Sequence, residues 1–301
     1  MGADTVNWDD MKSFLAVARA ETLSGAAALL KADPATVGRR VARLEEAMSE
    51  VLFTKSPQGY VLTAQGQKLM PHAVRLEQTM MDARDAMAGQ GAALSGQIRI
   101  GAPDGCANFL LPQVCAEITE QNPDLDIQIV ALPRIVNLTK READMAITVS
   151  RPEAGRLLVQ KLADYQLHLA ASEAYLATHA PISDVAALHD HRIVGYIPDM
   201  IFDKELDYLS GTPFSRVALA SNSASVQLNV IRQGGGVGVV HDFALPAAPN
   251  LRRVLPESFS LKRSFYLIRH EDDRRVARLT RFAEALTDGL RREVARLETL
   301  A

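Results

Sequence analysis

The sequence predicts an α/β chain in two parts, a winged helix-turn-helix with a linker helix followed by a two-lobed domain built on mostly parallel sheets. Three observations predict it. After a first helical pattern, two more lie three residues apart, and the later one carries three arginines opposite an apolar stripe. An apolar heptad seam runs from Leu69 to Met87. From Gln97 onward, short strand-like runs alternate with helical segments.

The first helix starts at Asn7-Trp8-Asp9-Asp10, with Asn7 as N-cap and acids in the first turn; Met11, Phe14, Leu15 and Ala18 give it one buried face. Ser24 is a candidate cap for a second, small-residue helix through Leu30, and Asp33-Pro34 starts a third after the turn Lys31-Ala32-Asp33. In the third helix Val37, Val41, Leu44 and Met48 form one stripe, while Thr36, Arg39, Arg40 and Arg43 form another roughly 120° away. This reads as helix-turn-helix, although a solvated amphipathic helix would show the same arginines. A hairpin follows, Val51–Thr54 and Tyr60–Thr63 around Ser56-Pro57-Gln58-Gly59, and it resembles a wing. Residues 1–62 hold seven basic and eight acidic groups, so any grip on nucleic acid depends on how charge is distributed.

Thr63 caps a further helix that runs to about Ala88. Its seam Leu69, Ala73, Leu76, Met80, Ala83 and Met87 is spaced by fours and threes. A helix about 39 Å long exceeds what a 62-residue domain can cover, which predicts pairing with a second copy; packing on its own C-terminal domain is the alternative.

Beyond it, strands are expected near 97–102, 126–132, 144–149, 158–162, 165–171, 192–196, 216–220, 237–240 and 264–269, with helices near 105–121, 223–233 and 272–300. Two β-α-β sets, joined by crossover strands, place a ligand cleft at the carboxyl ends of the strands. The expected boundaries are 1–62 for the winged helix, 63–90 for the linker helix and 91–301 for the ligand domain. Its first lobe takes about 97–163 and 264–301, and its second about 164–263.

Composition narrows the function. The 301 residues are 48% hydrophobic and 23% charged, which suits a globular chain that folds without a structural metal or disulfide. Net charge is −3, so a nucleic-acid surface must be local. No apolar run is long enough to span a membrane, and Met1-Gly2-Ala3-Asp4 does not start a secretory signal, which leads to the expectation of a cytoplasmic protein. Cys106 and Cys115, nine residues apart on one expected helix, would face opposite ways; a redox pair is the alternative to two small apolar residues.

The most telling segments are Phe14-Leu15-Ala16-Val17-Ala18, Ser24 to Leu30, Val37 to Glu45, Leu52-Phe53, and Gly59 to Thr63 with Gly66, and weaker echoes lie in Gly96 to Gly101, Leu110-Leu111-Pro112 and Arg141 to Ile147. Through them the chain resembles the LysR-type transcriptional regulators along essentially its whole length. The resemblance implies a two-lobed, periplasmic-binding-protein-like effector domain in a bacterial regulator. It also implies homodimers that assemble into homotetramers on an interrupted palindrome in double-stranded DNA near a promoter, with RNA polymerase as a further partner. This sequence departs from the family at Asp33-Pro34-Ala35, Gly38, Ser49, Lys55 and Asp104. Proline and alanine cannot supply the bidentate base contact of a glutamine, and Lys55 offers a point charge where arginine offers a fork.

The expected DNA-binding residues are Ser24, Thr36, Arg39, Arg40, Arg43, Lys55 and Gln58. Those for the effector are Pro103, Asp104, Gly105, Arg134, Thr148, Ser150, Asn222, Ser223 and His241, chosen by their places after strands and at a helix start. Asp104 also reads as a cap for the helix beginning at Gly105, and Arg134 as an attractor of anions. No cofactor, metal or catalytic group is expected. Gly234 to Gly238 precedes a strand and lacks phosphate-loop spacing, so it reads as a tight helix-end turn. His189 and His191 share a strand face in this reading but lack a third ligand. The seven arginines and six acids from Asp272 onward read as a solvated face over Val276, Leu279, Ala283, Leu286 and Leu290. The rivals to a ligand-responsive regulator are a small-molecule-binding protein without DNA contact, a thiol redox sensor and an α/β enzyme.

Overall fold

The structure is a computed structural model that describes residues 6–56, 59–88, 93–131, 143–152, 155–210, 212 and 216–301. It divides into two compact units, Met1–Gln90 and Gly91–Ala301.

In the first unit, α1 (Trp8–Ala20) starts where the Asn7 side chain accepts the Asp9 N–H at 2.9 Å. α2 (Leu23–Leu30) is capped by Thr22, whose Oγ1 accepts the Gly25 N–H at 3.1 Å, and not by Ser24, which is already helical. Leu23 packs toward the core and draws the helix start back by two residues. α3 (Pro34–Met48) is capped by Asp33, which accepts from the Ala35 N–H at 2.8 Å and the Thr36 N–H at 3.4 Å. It ends at Ser49 with φ 52°, a left-handed position where glycine is usually favoured.

The wing is β1 (Phe53–Ser56) and β2 (Gly59–Leu62), paired antiparallel from Phe53–Leu62 to Ser56–Gly59. It starts two residues later than expected because Glu45 of α3 takes the Leu52 and Phe53 N–H groups at 2.7 and 3.1 Å. Gly59 is required: its φ is 133°, and a Cβ there would lie 2.2 Å from the Glu21 carbonyl oxygen. That carbonyl accepts the Tyr60 N–H at 2.7 Å, which ties the wing to the α1–α2 turn.

α4 (Ala64–Ala88) follows, with Thr63 Oγ1 accepting the Gly66 N–H at 3.0 Å. The unit's core holds Phe14, Val37 and Leu44, all fully buried, together with Ala73 and part of Leu69. The expectation of a seam reserved for a second copy is therefore corrected at its first two positions. Leu76, Met80, Ala83 and Met87 remain exposed.

The second unit runs β3 (Gly96–Ala102), α5 (Asp104–Phe109), α6 (Leu111–Gln121), β4 (Leu125–Ala131), β5 (Met145–Thr148), β6 (Leu157–Ser172), α7 (Glu173–Thr178) and β7 (Ile193–Gly195). It continues with β8 (Leu219–Ala220), α8 (Ala224–Arg232), β9 (Val237–His241), β10 (Leu251–Val254), β11 (Ser260–His270) and α9 (Ala277–Leu300). The sheet order is β4-β3-β5-β11-β6-β9-β7-β8, with β10 also on β6. β3 lies parallel to β4 and β5, and β7 parallel to β8 and β9. The antiparallel pair β6–β11 reaches both of these parallel groups, so two lobes share one ribbon.

Several expectations are corrected. The runs read as two strands, 158–162 and 165–171, are one 16-residue strand in which Leu162 bulges between Lys161, opposite Tyr266, and Ala163, opposite Phe265. The single helix expected over 105–121 breaks at Leu110, because Pro112 lacks an N–H and its ring crowds the carbonyl four residues back. That break removes the opposite-face argument for Cys106 and Cys115: the two sit on different helices and are buried in one core. The strand expected over 216–220 is reduced to Leu219–Ala220, and α7 and β10 had no expectation. Arg278, read as part of a solvated face, is 2% exposed and donates to the Ser95 and Gln97 carbonyls at 3.2 and 3.0 Å. The glycine run is the expected helix-end turn; at Gly236 (φ 152°) a Cβ would sit 2.2 Å from the Arg192 carbonyl oxygen.

Candidate functional site

Two surfaces carry the chemistry, one in each unit. The first is the outer face of α3. Arg39 is exposed, and its Nη2 donates to Thr36 Oγ1 at 3.1 Å, so the guanidinium is held along the helix. Arg40 lies 3.4 Å from the Asp9 carboxylate, a loose exposed pair that contributes little by itself. Arg43 differs: its Nε donates to Asp10 Oδ2 at 2.7 Å, and its Nη2 pairs with Asp10 Oδ1. Asp10 is 2% exposed, so Arg43 is the counter-ion of a buried carboxylate while 58% of its own side chain faces solvent. That hydrogen-bonded pairing raises the pKa of Arg43 above its usual value.

Lys55 on β1 stands opposite Tyr60, its ammonium 5.8 Å from the ring centroid. Ser24 is exposed in the first turn of α2. Gln58 lies outside the described residues. Sequence reading placed Asp10 in a first turn and Glu45 in a family-like segment but missed their pairing roles. Their signal is an acid at the start of α1 and another within the cationic helix, each of which gathers donors from a neighbouring element.

The second surface is the cleft between the lobes of the C-terminal unit, where the cavity volume is about 20 Å³. Of the expected residues, Pro103, Asp104, Gly105, Asn222 and His241 line it. Thr148 and Ser150 lie beside it and are engaged with each other and with the second lobe. Thr148 Oγ1 donates to the Ser150 carbonyl at 2.7 Å, and Ser150 Oγ donates to Asp203. Arg134 lies outside the described residues. Val149, Phe202, Leu206 and Phe265 supply the apolar walls, and Tyr196 and Tyr208 the polar edges. Sequence reading did not single these out.

Asp104 does not cap its own helix. Its Oδ2 crosses to the second lobe and accepts from Ser223 Oγ at 3.0 Å and the Ser225 N–H at 2.8 Å, at the N-terminus of α8. Ser223 is itself the cap of α8, accepting the Val226 N–H at 3.2 Å. Behind Asp104 lies His241, within 3.1 Å of where a Gly105 Cβ would be and 3.4 Å from the Tyr208 hydroxyl. Burial pulls the His241 pKa down to about 4, with the Asp104 charge acting the other way, so the imidazole is neutral at physiological pH. Tyr165 stacks on Phe265 at 4.2 Å and meets His241 at 5.5 Å, closing the aromatic floor.

Both thiols are poor nucleophiles. Burial raises the Cys106 pKa well above its ordinary value and that of Cys115 to about 12, which weighs against a redox pair. His189 is 81% exposed in a short 3-10 turn, whereas His191 is buried against the Tyr175 hydroxyl at 3.2 Å, so they share no strand face. Among the described residues no three His, Cys, Asp or Glu side chains converge on a metal position. No helix among them is long and apolar enough to cross a membrane.

Comparison with known proteins covers both units. The family described as "LysR substrate binding domain" matches residues 91–291, and "Bacterial regulatory helix-turn-helix protein, lysR family" matches residues 8–67. The transcriptional regulator PtxR of Pseudomonas aeruginosa is 25% identical over 304 residues, covering 97% of this chain and 96% of that one. The regulator DgdR of Burkholderia cepacia is 29% identical over 246 residues, covering 79% of each. Among solved structures, CrgA of Neisseria meningitidis has a TM-score of 0.59 at 23% identity, covering 94% of this chain and 99% of that one. An OxyR cysteine mutant from Corynebacterium glutamicum has a TM-score of 0.70 at 18% identity, covering 98% and 95%. At those identities the two structures show a shared fold.

Proposed function

Because the chain belongs to the LysR family of transcriptional regulators, we propose that it binds an interrupted palindrome as a dimer of dimers and alters transcription when a small effector binds between its lobes. The family comprises regulators and not enzymes, and the helix-turn-helix and effector-binding domains are the two parts of such a protein. In this reading residues 1–62 hold DNA, residues 63–90 pair two copies, and residues 91–301 receive the effector. The protein works in the cytoplasm, with RNA polymerase as its partner at the promoter.

The observation that carries the reading is the outer face of α3. A chain of net charge −3 presents Arg39 and Arg43 exposed, with Arg40 between them, on the helix that follows a three-residue turn. Arg39, Arg40 and Lys55 supply phosphate and base contacts, joined by Gln58 on the wing, while Thr36 and Ser24 offer hydroxyls. Arg43 serves mainly to position α3 against α1 through Asp10. The exposed Leu76, Met80, Ala83 and Met87 give α4 a surface for a second copy, which would set two recognition helices about one turn of DNA apart.

The test is a salt titration of binding to the chain's own upstream intergenic segment by fluorescence anisotropy. Neutralising ~8 phosphates per dimer gives a slope of log affinity on log salt near −7. A flat response defeats the reading. The linked change in DNA bend requires that an effector bind two arrangements with unequal affinity; identical footprints with and without a bound effector would exclude it.

A further inference from the structure

We propose that Asp104 is a specificity-determining residue whose carboxylate occupies, as a built-in surrogate, the place an anionic ligand would take at the N-terminus of α8, so that the native cleft excludes carboxylates and takes an uncharged ligand. The inference rests on the reading of this cleft as the effector site.

The place is built for an anion, and an anion sits in it. Asp104 Oδ2 receives the Ser225 N–H at 2.8 Å and the Ser223 hydroxyl at 3.0 Å, and Oδ1 receives the Asn108 amide at 3.2 Å. The start of the nine-residue α8, where the Ser225 N–H is given to Asp104 and the Val226 N–H to Ser223, favours negative charge. The Ser225 hydroxyl, on the same residue, is buried without a hydrogen-bond partner.

Among the described residues, the remaining lining side chains add no cation to hold a second anion. They are apolar, phenolic or amide side chains, the Cys106 thiol and the neutral His241. A ligand carboxylate would meet the fixed charge of Asp104 across apolar walls, and like charges in such a setting repel strongly. An uncharged ligand meets Val149, Phe202, Leu206 and Phe265, with the Tyr196 and Tyr208 hydroxyls at its edge.

The experiment is thermal unfolding of the full chain and of Asp104→Ala, with acetate and its uncharged isostere acetamide as probes at matched ionic strength. Acetate is expected to raise the Tm of Asp104→Ala by about 3–6 °C at ~10 times its Kd. Acetamide should do no more for the variant than for the native chain, and acetate should leave the native chain unmoved. Equal responses of the native chain and the variant to acetate overturn the proposal. So does a variant indifferent to acetate, or one that gains as much from acetamide, which would mean only that space was vacated.

Asp104→Ser vacates the same place and carries the test if Asp104→Ala does not fold. DNA retention by the unaltered chain is measured separately. Loss of that retention sinks the regulatory reading and leaves the acetate result standing, and the reverse pattern sinks only Asp104.

Discussion

The outer face of α3 and the interlobe cleft hold their charges in opposite ways. On α3 the arginines come from one stretch of five residues, and Arg39 and Arg43 stay open to solvent. In the cleft the acidic side chain among the described lining residues, Asp104, bonds to Ser223 and Ser225, more than a hundred residues away, and His241 is kept neutral. A surface for a polyanion needs cations on display, and their spacing along one helix is enough to write them. A cleft that closes out water needs its polar groups satisfied, and that takes partners brought together by the fold. The buried acids of the first unit follow the second rule: Asp10 holds Arg43 and Glu45 holds the wing.

The contrast can be tested at its strongest point first. Gly59→Val places a branched side chain at φ 133° against the Glu21 carbonyl. It should destabilise the N-terminal unit by about 3 kcal/mol or more in urea unfolding, with loss of DNA retention. If neither changes, the wing is not anchored as described.

The second test concerns pH. His241 is held at about 4 in the folded state against 6.5 unfolded, so below pH 6.5 the unfolded chain binds the extra proton. Stability therefore falls as pH drops from 6.5 toward 4, with this residue contributing at most about 1.4 kcal/mol per pH unit. His241→Asn should flatten that part of the profile measured by denaturant titration, and an unchanged slope would remove the assignment.

Arg40→Ala should cost about tenfold in DNA affinity and reduce the salt slope by ~1, with no change in Tm. Arg43→Ala sharpens the comparison, because it leaves Asp10 buried without its counter-ion. Its loss of DNA binding should come with a lower Tm, which Asp10→Asn in the same chain restores without restoring affinity. Equal Tm values for both arginine variants would mean that Asp10 does not depend on Arg43. Lys55→Ala should show the smallest effect, a loss of a few-fold in anisotropy titrations, since it removes one flexible point charge.

What could be read from the sequence follows the same division. The turn at Lys31-Ala32-Asp33, the cap at Asp33 and the two faces of α3 follow from local period and capping chemistry, and the structure has them as read. The cap of α2 was misplaced because Thr22 and Ser24 are both competent and only the burial of Leu23 chooses between them. Leu69 and Ala73 share the spacing of Leu76 and Met80, and periodicity cannot say where the local core ends and the free seam begins. In the cleft, Pro103, Asp104, Gly105, Asn222 and His241 were reachable because strand ends and helix starts point there. Tyr196, Phe202, Leu206, Tyr208 and Phe265 were not, because an apolar residue lining a cleft reads like one in the core. The direction of the Asp104 side chain was beyond local rules as well, since capping its own helix and crossing to another demand the same residue type.

The unpaired Leu162 sets how this architecture can change length. Lys161 and Ala163 oppose the consecutive residues Tyr266 and Phe265, so removing Leu162 would close the bulge and leave every other pair of the β6–β11 ribbon in register. Phe265 and Leu267, fully buried, would keep their partners Ala163 and Gln160 and their side of the ribbon. A single-residue deletion at position 162 should therefore give a folded chain with a regular ribbon, whereas a single-residue deletion within either arm shifts the pairs beyond it and should destabilise the fold.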